Sequence, residues 1–411
     1  MTERSPLPDL ATLRAAFPIF AKPVYGKRLV YLDSAASAQK PKVVLDRLVS
    51  FYENDYANIH RGAHALSQRA TTLYDQARAT TRAFINAAYA DEIVFTKGAT
   101  EAINLVAQSW GRAQLRDGDE VVITGLEHHA NIVPWQLLRD ERGIVLRVVP
   151  LTPEGDVRVE DVAAALGPRT KLVAIAQVSN ALGTCLPVAS ITALAHAREV
   201  PVLVDGAQGV CHGATDVQAL GADFYAFSGH KLYGPTGIGV LYARRDLLRA
   251  MPPWQGGGDM ITSVSFEKTL YAEPPQRFEA GTPPIAEAIG LAAAMDQLSA
   301  WGIDAIAARE DALRTTLEAE LRRQPDVRVI GQAAHKTGLV SFVMEGVHPH
   351  DIGTILDREG VAVRTGHHCA EPVMAAFGIP ATVRASFGLY NGDDDVDALL
   401  RGLAKVREIF R

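Results

Sequence analysis

The stretch Asp223-Phe-Tyr-Ala-Phe-Ser-Gly-His-Lys-Leu-Tyr-Gly-Pro-Thr-Gly-Ile-Gly-Val-Leu-Tyr242 constrains this chain more than any other. The apolar run Phe224 to Phe227 reads as a buried strand. It ends on Ser228, Gly229, His230 and Lys231. Gly234, Pro235, Gly237 and Gly239 follow before a second apolar run, Val240 to Tyr242. Glycine and proline at this density mark a tight bend, so a lysine amine is held at a strand end. A buried amine loses proton affinity and can condense with an aldehyde. A surface lysine in a hairpin turn leaves the same pattern, and this stretch alone does not separate the two.

The preceding strand does. Pro201-Val-Leu-Val-Asp205 is an apolar run closed by a carboxylate, and Gly206, Ala207, Gln208 and Gly209 follow it. A helix over 188–199 leads into that strand, and strands alternating with helices mark a wound α/β domain. In such a sheet, ligands bind at the C-terminal ends of the strands. Asp205 and Lys231 both belong to that edge. A pyridoxal ring needs this pair: an acid partner for its nitrogen and an amine for its aldehyde.

Val204-Asp-Gly-Ala-Gln208 and Phe227-Ser-Gly-His-Lys-Leu-Tyr-Gly-Pro-Thr-Gly237 resemble the cofactor segments of class V, fold-type I pyridoxal-phosphate enzymes. More narrowly, they resemble those of the SufS-type cysteine desulfurases. The resemblance runs almost end to end, through many segments in the same order. It implies a fold-type I α/β architecture: a large wound mixed-sheet domain over 22–295 and a smaller C-terminal α+β domain over 296–411. An N-terminal segment, 1–21, would pack on the small domain.

Further candidates follow in chain order. Residues 7–20 predict a short helix with Leu10, Leu13, Phe17 and Phe20 on one face. Tyr31 to Ala38 is small and polar and reads as a simple loop, although the resemblance places it near the active-site entrance. His60-Arg-Gly-Ala-His64 gathers two histidines around a glycine. It is open to metal ligation, although no third ligand is near in sequence, or to a solvated loop. The resemblance instead sends His60 into a neighbouring subunit's active site, as a substrate contact in an obligate homodimer. Gly98, Ala99 and Thr100 open a helix, and its bare N–H groups form an anion site or an ordinary cap. The resemblance makes Thr100, Ser228 and His230 phosphate ligands. Ala99 stands where many family members have threonine.

Glu127-His-His-Ala-Asn131 follows the strand Glu120 to Thr124. The family pattern puts His128 on the cofactor ring, where an imidazole also moves protons near neutral pH. His129 reads as packed. Asn180 closes another buried strand and can meet the ring hydroxyl or a substrate carboxylate. Gln208, by the match, reaches the ring oxygen, and Thr282 caps the partner subunit's phosphate. Pro284 replaces an asparagine common in the family.

In the C-terminal part, helices over 303–323, 349–359 and 393–410 alternate with strands over 338–343, 361–364 and 382–388. Cys369 follows two histidines, His367 and His368, with Arg364 upstream. Positive neighbours stabilise a thiolate, the reactive form; an inert buried cysteine is the alternative. Arg384 sits among apolar neighbours and needs an anion, because an unpaired buried charge is costly. That anion is a substrate carboxylate or a structural Asp or Glu. The resemblance assigns Lys231, His128 and Cys369 to catalysis and Arg384, Asn180, Arg364 and His60 to the substrate. The reaction implied turns L-cysteine into L-alanine and leaves sulfur on Cys369 as a persulfide for iron–sulfur cluster assembly. The loop around Cys369 is short and cannot carry sulfur far. A dedicated acceptor protein, of the SufE or SufU kind, is therefore expected.

Composition excludes other classes. Lys plus Arg number 41 against 47 acids, a dispersed net charge of −6, which disfavours a nucleic-acid surface. Cys185, Cys211 and Cys369 are far apart with no CxxC pair, which disfavours disulfides and zinc and fits a reducing cytoplasm. The first residues lack an apolar signal core, and no apolar run approaches a membrane span. Rival readings are a selenocysteine lyase or an aminotransferase on the same scaffold, a thiol hydrolase built on His368 and Cys369, or a binding protein.

Overall fold

The computed structural model describes residues 7–410. Residues 1–6, the start of the expected N-terminal segment, lie outside the described residues.

Seven strands form the central sheet: β1 Ile93–Thr96, β2 Glu120–Thr124, β3 Val145–Val149, β4 Thr170–Ala176, β5 Val202–Asp205, β6 Phe224–Ser228 and β7 Gly239–Ala243. Their spatial order is β1-β7-β6-β5-β4-β2-β3. Neighbours are parallel except where β7 is involved, which runs against both β6 and β1. The connection from β6 to β7 is the glycine-rich bend itself. It is too short for a parallel crossover, so it reverses the chain. β5, β6 and β7 are buried along their whole length. Helices cover both faces, which is why these strands read as unbroken apolar runs. The edge strand β3 is largely exposed. Its arginine and its solvent face hide it from a search for such runs.

A second sheet is antiparallel, in the order Val327–Ile330, Leu339–Met344, Thr382–Ser386, Arg364–Gly366. Helices Ile303–Arg322, Pro349–Arg358 and Asp393–Phe410 pack on it around Leu317, Phe342, Leu356, Val383 and Leu403. The strand expected over 361–364 is in fact two. Val361–Ala362 pairs parallel with Val30–Tyr31, whereas Arg364–Gly366 pairs with Thr382–Arg384. The N-terminal chain has inserted itself there, and only a long-range contact could split the run.

Helix Leu10–Ala15 and the turn Pro18–Ala21 take the place of one helix over 7–20; Pro18 interrupts the i→i−4 ladder. Arg14 donates to Asp394 and Asp395, and Phe17 packs its ring on Tyr233 and Tyr390. No helix among the described residues is long and apolar enough to cross a membrane.

Candidate active site

A cavity of about 280 Å³ opens beyond the C-terminal ends of β4, β5 and β6. Lys231, Asp205, Gln208, His128, Asn180 and Ser228 line it, and so do Thr100 and His230. From the second sheet come Arg364, Cys369 and Arg384.

Asp205 is the last residue of β5, in register with Ala176 of β4 and Ala226 of β6. Its Oδ1 accepts the Ala207 N–H at 3.0 Å. Lys231 closes the single turn Gly229–Lys231 immediately after β6. Burial raises the Asp205 carboxyl above its usual range, opposed by the Ala207 N–H and by the Lys231 charge. Burial lowers the Lys231 amine, opposed first by Asp205. The two lie within electrostatic reach of each other, at one cavity.

At the other end, the Ser228 Oγ accepts the Ala99 N–H at 2.8 Å, where helix Ala99–Val106 begins. β7 passes so close that a Cβ on Gly239 would lie 2.3 Å from the Gly98 Cα. Glycine at both positions permits that approach. Helix N–H donors with Thr100 suit a phosphate, Asp205 suits a protonated ring nitrogen, and Lys231 suits an aldehyde. The residues present therefore fit pyridoxal phosphate.

The His128 Nδ1 accepts the Ala130 N–H at 3.0 Å. In the neutral ring the proton then sits on Nε2. Burial, with Lys231, His129 and Arg384 nearby, pushes this imidazole down to about 4. The His129 Nε2 accepts the Glu371 N–H, and its own N–H donates to the Cys369 carbonyl at 2.8 Å. His129 thus anchors the Cys369 loop, a task that sequence does not reveal. Glu127, one residue before His128, is fully buried between Thr124 and Asn131. Burial pushes its carboxyl up to about 7.

Cys369 is the exposed cysteine, whereas Cys185 is half-buried and Cys211 buried. Burial pushes the Cys185 thiol up to about 11 and the Cys211 thiol up to about 12. His368 and Cys369 both have left-handed backbone, with φ of 56° and 54°. For non-glycine residues this costs energy, and such strain gathers at functional sites. The Asn180 Nδ2 holds the loop by donating to the His368 carbonyl at 2.6 Å. His368 is not the positive neighbour that the sequence suggested. The His368 ring turns inward to the Thr382 Oγ1 at 2.7 Å, and burial with two arginines close by pushes it down to about 2. The His367 Nδ1 accepts the Cys369 N–H at 3.2 Å. The cations that act on Cys369 are Lys231, Arg364 and Arg384.

Arg364 and Arg384 stand opposite each other across two strands. Like charges placed so are destabilising, and Asp33 separates them. It takes Arg364 in a fork, Nε to Oδ1 at 3.0 Å and Nη2 to Oδ2 at 2.8 Å, and meets the Arg384 Nη2 at 3.3 Å. Arg384 is almost fully buried and donates from Nη1 to the Asn180 carbonyl at 2.8 Å. Its Nε is buried without a partner. The sequence offered a substrate carboxylate or a structural acid. The structure supplies the acid in part and leaves a donor over.

Tyr31 to Ala38 lies at the cavity, as the resemblance implies, and its Asp33 adds a charge that a simple loop would not supply. Ala35 and Ala36 line the cavity, and the Ala35 carbonyl accepts the Gln208 Nε2 at 2.7 Å. Lys40 donates from Nζ to the His230 carbonyl at 2.8 Å, and burial pushes it down to about 8. For Asp33 the signal in the sequence is an isolated charge ahead of the small residues Ser34 to Ala38.

His60 and Thr282 do not line the cavity. The His60 N–H donates to the Thr71 Oγ1, and Arg61 faces Asp259 at 3.7 Å. Beside Thr282, the Gly281 N–H donates to the Gly258 carbonyl. These loops gather on the surface of this chain.

A lysine and a carboxylate at adjacent strand ends, facing a second sheet that bears arginines with a thiol beside it, define a class of enzyme. The chain belongs to the class-V aminotransferase family, whose pattern matches residues 30–399. Its similarity is more particular. A cysteine desulfurase of Dickeya dadantii (strain 3937) is 53% identical over 398 residues, 97% of this chain and 96% of that one. The crystal structure of the Escherichia coli cysteine desulfurase CsdA, in an S-sulfonic acid form, matches with a TM-score of 0.92. It is 40% identical and covers 98% of this chain and 100% of its own. C-DES, seen as a lysine-to-alanine mutant with glycine covalently linked to its PLP cofactor, matches with a TM-score of 0.82 and 26% identity. The match covers 97% of this chain and 99% of that one.

Proposed function

We propose that this chain is a pyridoxal-phosphate cysteine desulfurase that converts L-cysteine to L-alanine and keeps the sulfur on Cys369. One observation carries the reading. Lys231, Asp205, Arg384 and the exposed thiol of Cys369 meet at a single cavity.

Asp205, Lys231, Gln208 and His128 would hold the ring, and Thr100, Ser228 and His230 the phosphate. The cofactor, when bound, supplies an electron sink for the substrate's α-carbon. Arg384, which lines the cavity, takes the substrate carboxylate, a charge-assisted bond in a buried setting. The Lys231 Nζ, poor in proton affinity because it is desolvated, accepts and returns the α-proton. The Cys369 Sγ forms a bond to the substrate sulfur as the carbon–sulfur bond breaks. Alanine leaves, the persulfide stays, and the atoms balance with no outside oxidant. Neutral His128 keeps a proton on Nε2 beside these groups.

The same reading includes a cytoplasmic homodimer in which His60 and Thr282 serve the partner's site. It assigns the cofactor domain to 22–295 and the cysteine-bearing domain to 296–411. The short segment Gly366–Ala370 is pinned by Asn180 and His129. An acceptor protein of the SufE or SufU kind would therefore have to come to Cys369, for delivery to iron–sulfur cluster assembly.

Mass spectrometry after addition of cysteine tests the reading. A one-sulfur adduct on Cys369, absent in Cys369→Ala, is expected. Persulfide on Cys185 or Cys211 instead would reject it.

A further inference from the structure

The loops that carry His60 and Thr282 share one buried support. Glu279 stands shortly before Gly281 and Thr282 in the chain. Arg78, on helix Ala65–Phe84, takes its carboxylate in a fork, Nη1 to Oε1 and Nη2 to Oε2, both at 2.8 Å. Both side chains are buried. The Tyr74 hydroxyl donates to the same carboxylate at 3.0 Å, and the His60 ring meets the Tyr74 ring edge-on, 6.1 Å between centres. The ion pair is also tied to the central sheet. The Phe95 N–H donates to Glu279 Oε1 at 2.7 Å, and Arg78 Nη1 donates to the Ile93 carbonyl at 2.6 Å. Both belong to β1, the edge strand, and a carboxylate and a guanidinium here take groups that a further strand would otherwise pair. His60 and Asp259, one in the first loop and one beside the second, have left-handed backbone with φ of 69° and 68°. Such strain persists only where the surroundings hold it.

On the homodimer reading, on which this inference rests, His60 and Thr282 serve the partner's site. We propose that Glu279 is a positioning residue for the partner's cavity. With Arg78 and Tyr74 it sets both loops against the rigid edge of the sheet, at the angle that brings them to the other subunit's cofactor and substrate. It touches neither, and it acts through the loops. A forked guanidinium–carboxylate pair suits the task because it fixes direction as well as distance. Burial makes the pair an all-or-none support, since removing one member strands the other's charge. The competing outcome is an effect in cis, because β1 also leads to the Gly98 turn of the chain's own site.

Hybrid dimers separate the two. They are assembled from two differently tagged chains, one of which carries Lys231→Ala, so borohydride can fix pyridoxal phosphate covalently only to the Lys231 of the other chain. Holoenzyme hybrids are dialysed against phosphate buffer and reduced at intervals, and the label left on Lys231 gives the rate of cofactor loss from that one site. With Glu279→Gln on the Lys231→Ala chain, the surviving site takes its loops from the altered chain. Cofactor loss there should quicken roughly tenfold, as for one missing hydrogen bond to a charged group. With Glu279→Gln on the chain that keeps Lys231, the rate should equal that of the hybrid with Glu279 in both chains. Equal quickening in both arrangements, quickening only in the second, or none in either overturns the assignment. Should Glu279→Gln fold poorly, Arg78→Lys, which keeps the charge and breaks the fork, should show the same asymmetry. Thr282→Val in the same two arrangements tests the foundation. An effect in cis, or none, overturns the partner-serving reading, whereas an effect in trans beside none from Glu279 removes only the role given to Glu279.

Discussion

Replacing Glu127 with glutamine should stabilise this protein at neutral and alkaline pH. Glu127 is fully buried, with Oε1 on the Thr124 hydroxyl at 2.6 Å and Oε2 on the Asn131 amide at 2.7 Å. Burial raises its carboxyl from 4.5 to about 7, and the nearby Asp205 charge adds to the rise. Below pH 4.5 the group is protonated in the folded and unfolded chain alike, and its full contribution is present. Between 4.5 and about 7 the unfolded chain gives up the proton while the folded chain keeps it, so stability falls as pH rises. Above about 7 both are ionised and the loss is complete, about 3 kcal/mol for a shift of this size. Glutamine has the shape of the protonated acid. Its oxygen can accept from Asn131, and its NH₂ can donate to Thr124. Urea unfolding of cofactor-free protein from pH 5 to pH 8 measures the effect. The parent and Glu127→Gln curves should lie close together near pH 5 and separate by about 3 kcal/mol by pH 8. Parallel pH profiles, or a variant weaker than the parent at pH 8, would refute the reasoning. Either would mean that the ionised carboxylate is welcome in its cage.

Two other outcomes are expected. Iodoacetamide at neutral pH should label Cys369 well before Cys185 or Cys211, whose thiols burial keeps protonated, and peptide mapping would reveal any other order. Gly239→Ala should lower stability by about 1–3 kcal/mol, because the new methyl meets only backbone, at Gly98 and Phe227. It should also weaken retention of the cofactor phosphate, measured by dialysis against phosphate buffer; unaltered retention would separate the Gly98 turn from phosphate binding.

The one-dimensional pattern determined a good deal. Buried strands of a wound sheet must be apolar runs, and whatever polar residue ends such a run lies at the ligand edge. Asp205, Lys231, Asn180 and Ser228 could therefore be placed from order alone. The sequence also showed a reversing bend, because glycines and a proline leave the chain between β6 and β7 no room to cross over. Tertiary structure decided what depends on contacts between distant segments. The insertion of Val30–Asp33 beside Val361–Ala362 and Ser386 divides an expected strand and puts Asp33 between two arginines more than 300 residues away in sequence. The inward turn of His368 onto Thr382 removes a cation that adjacency to Cys369 had suggested. Charge acts through space and is weighted by burial. Sequence spacing fixes neither, so the chemistry of Cys369 and Arg384 had to wait for the fold.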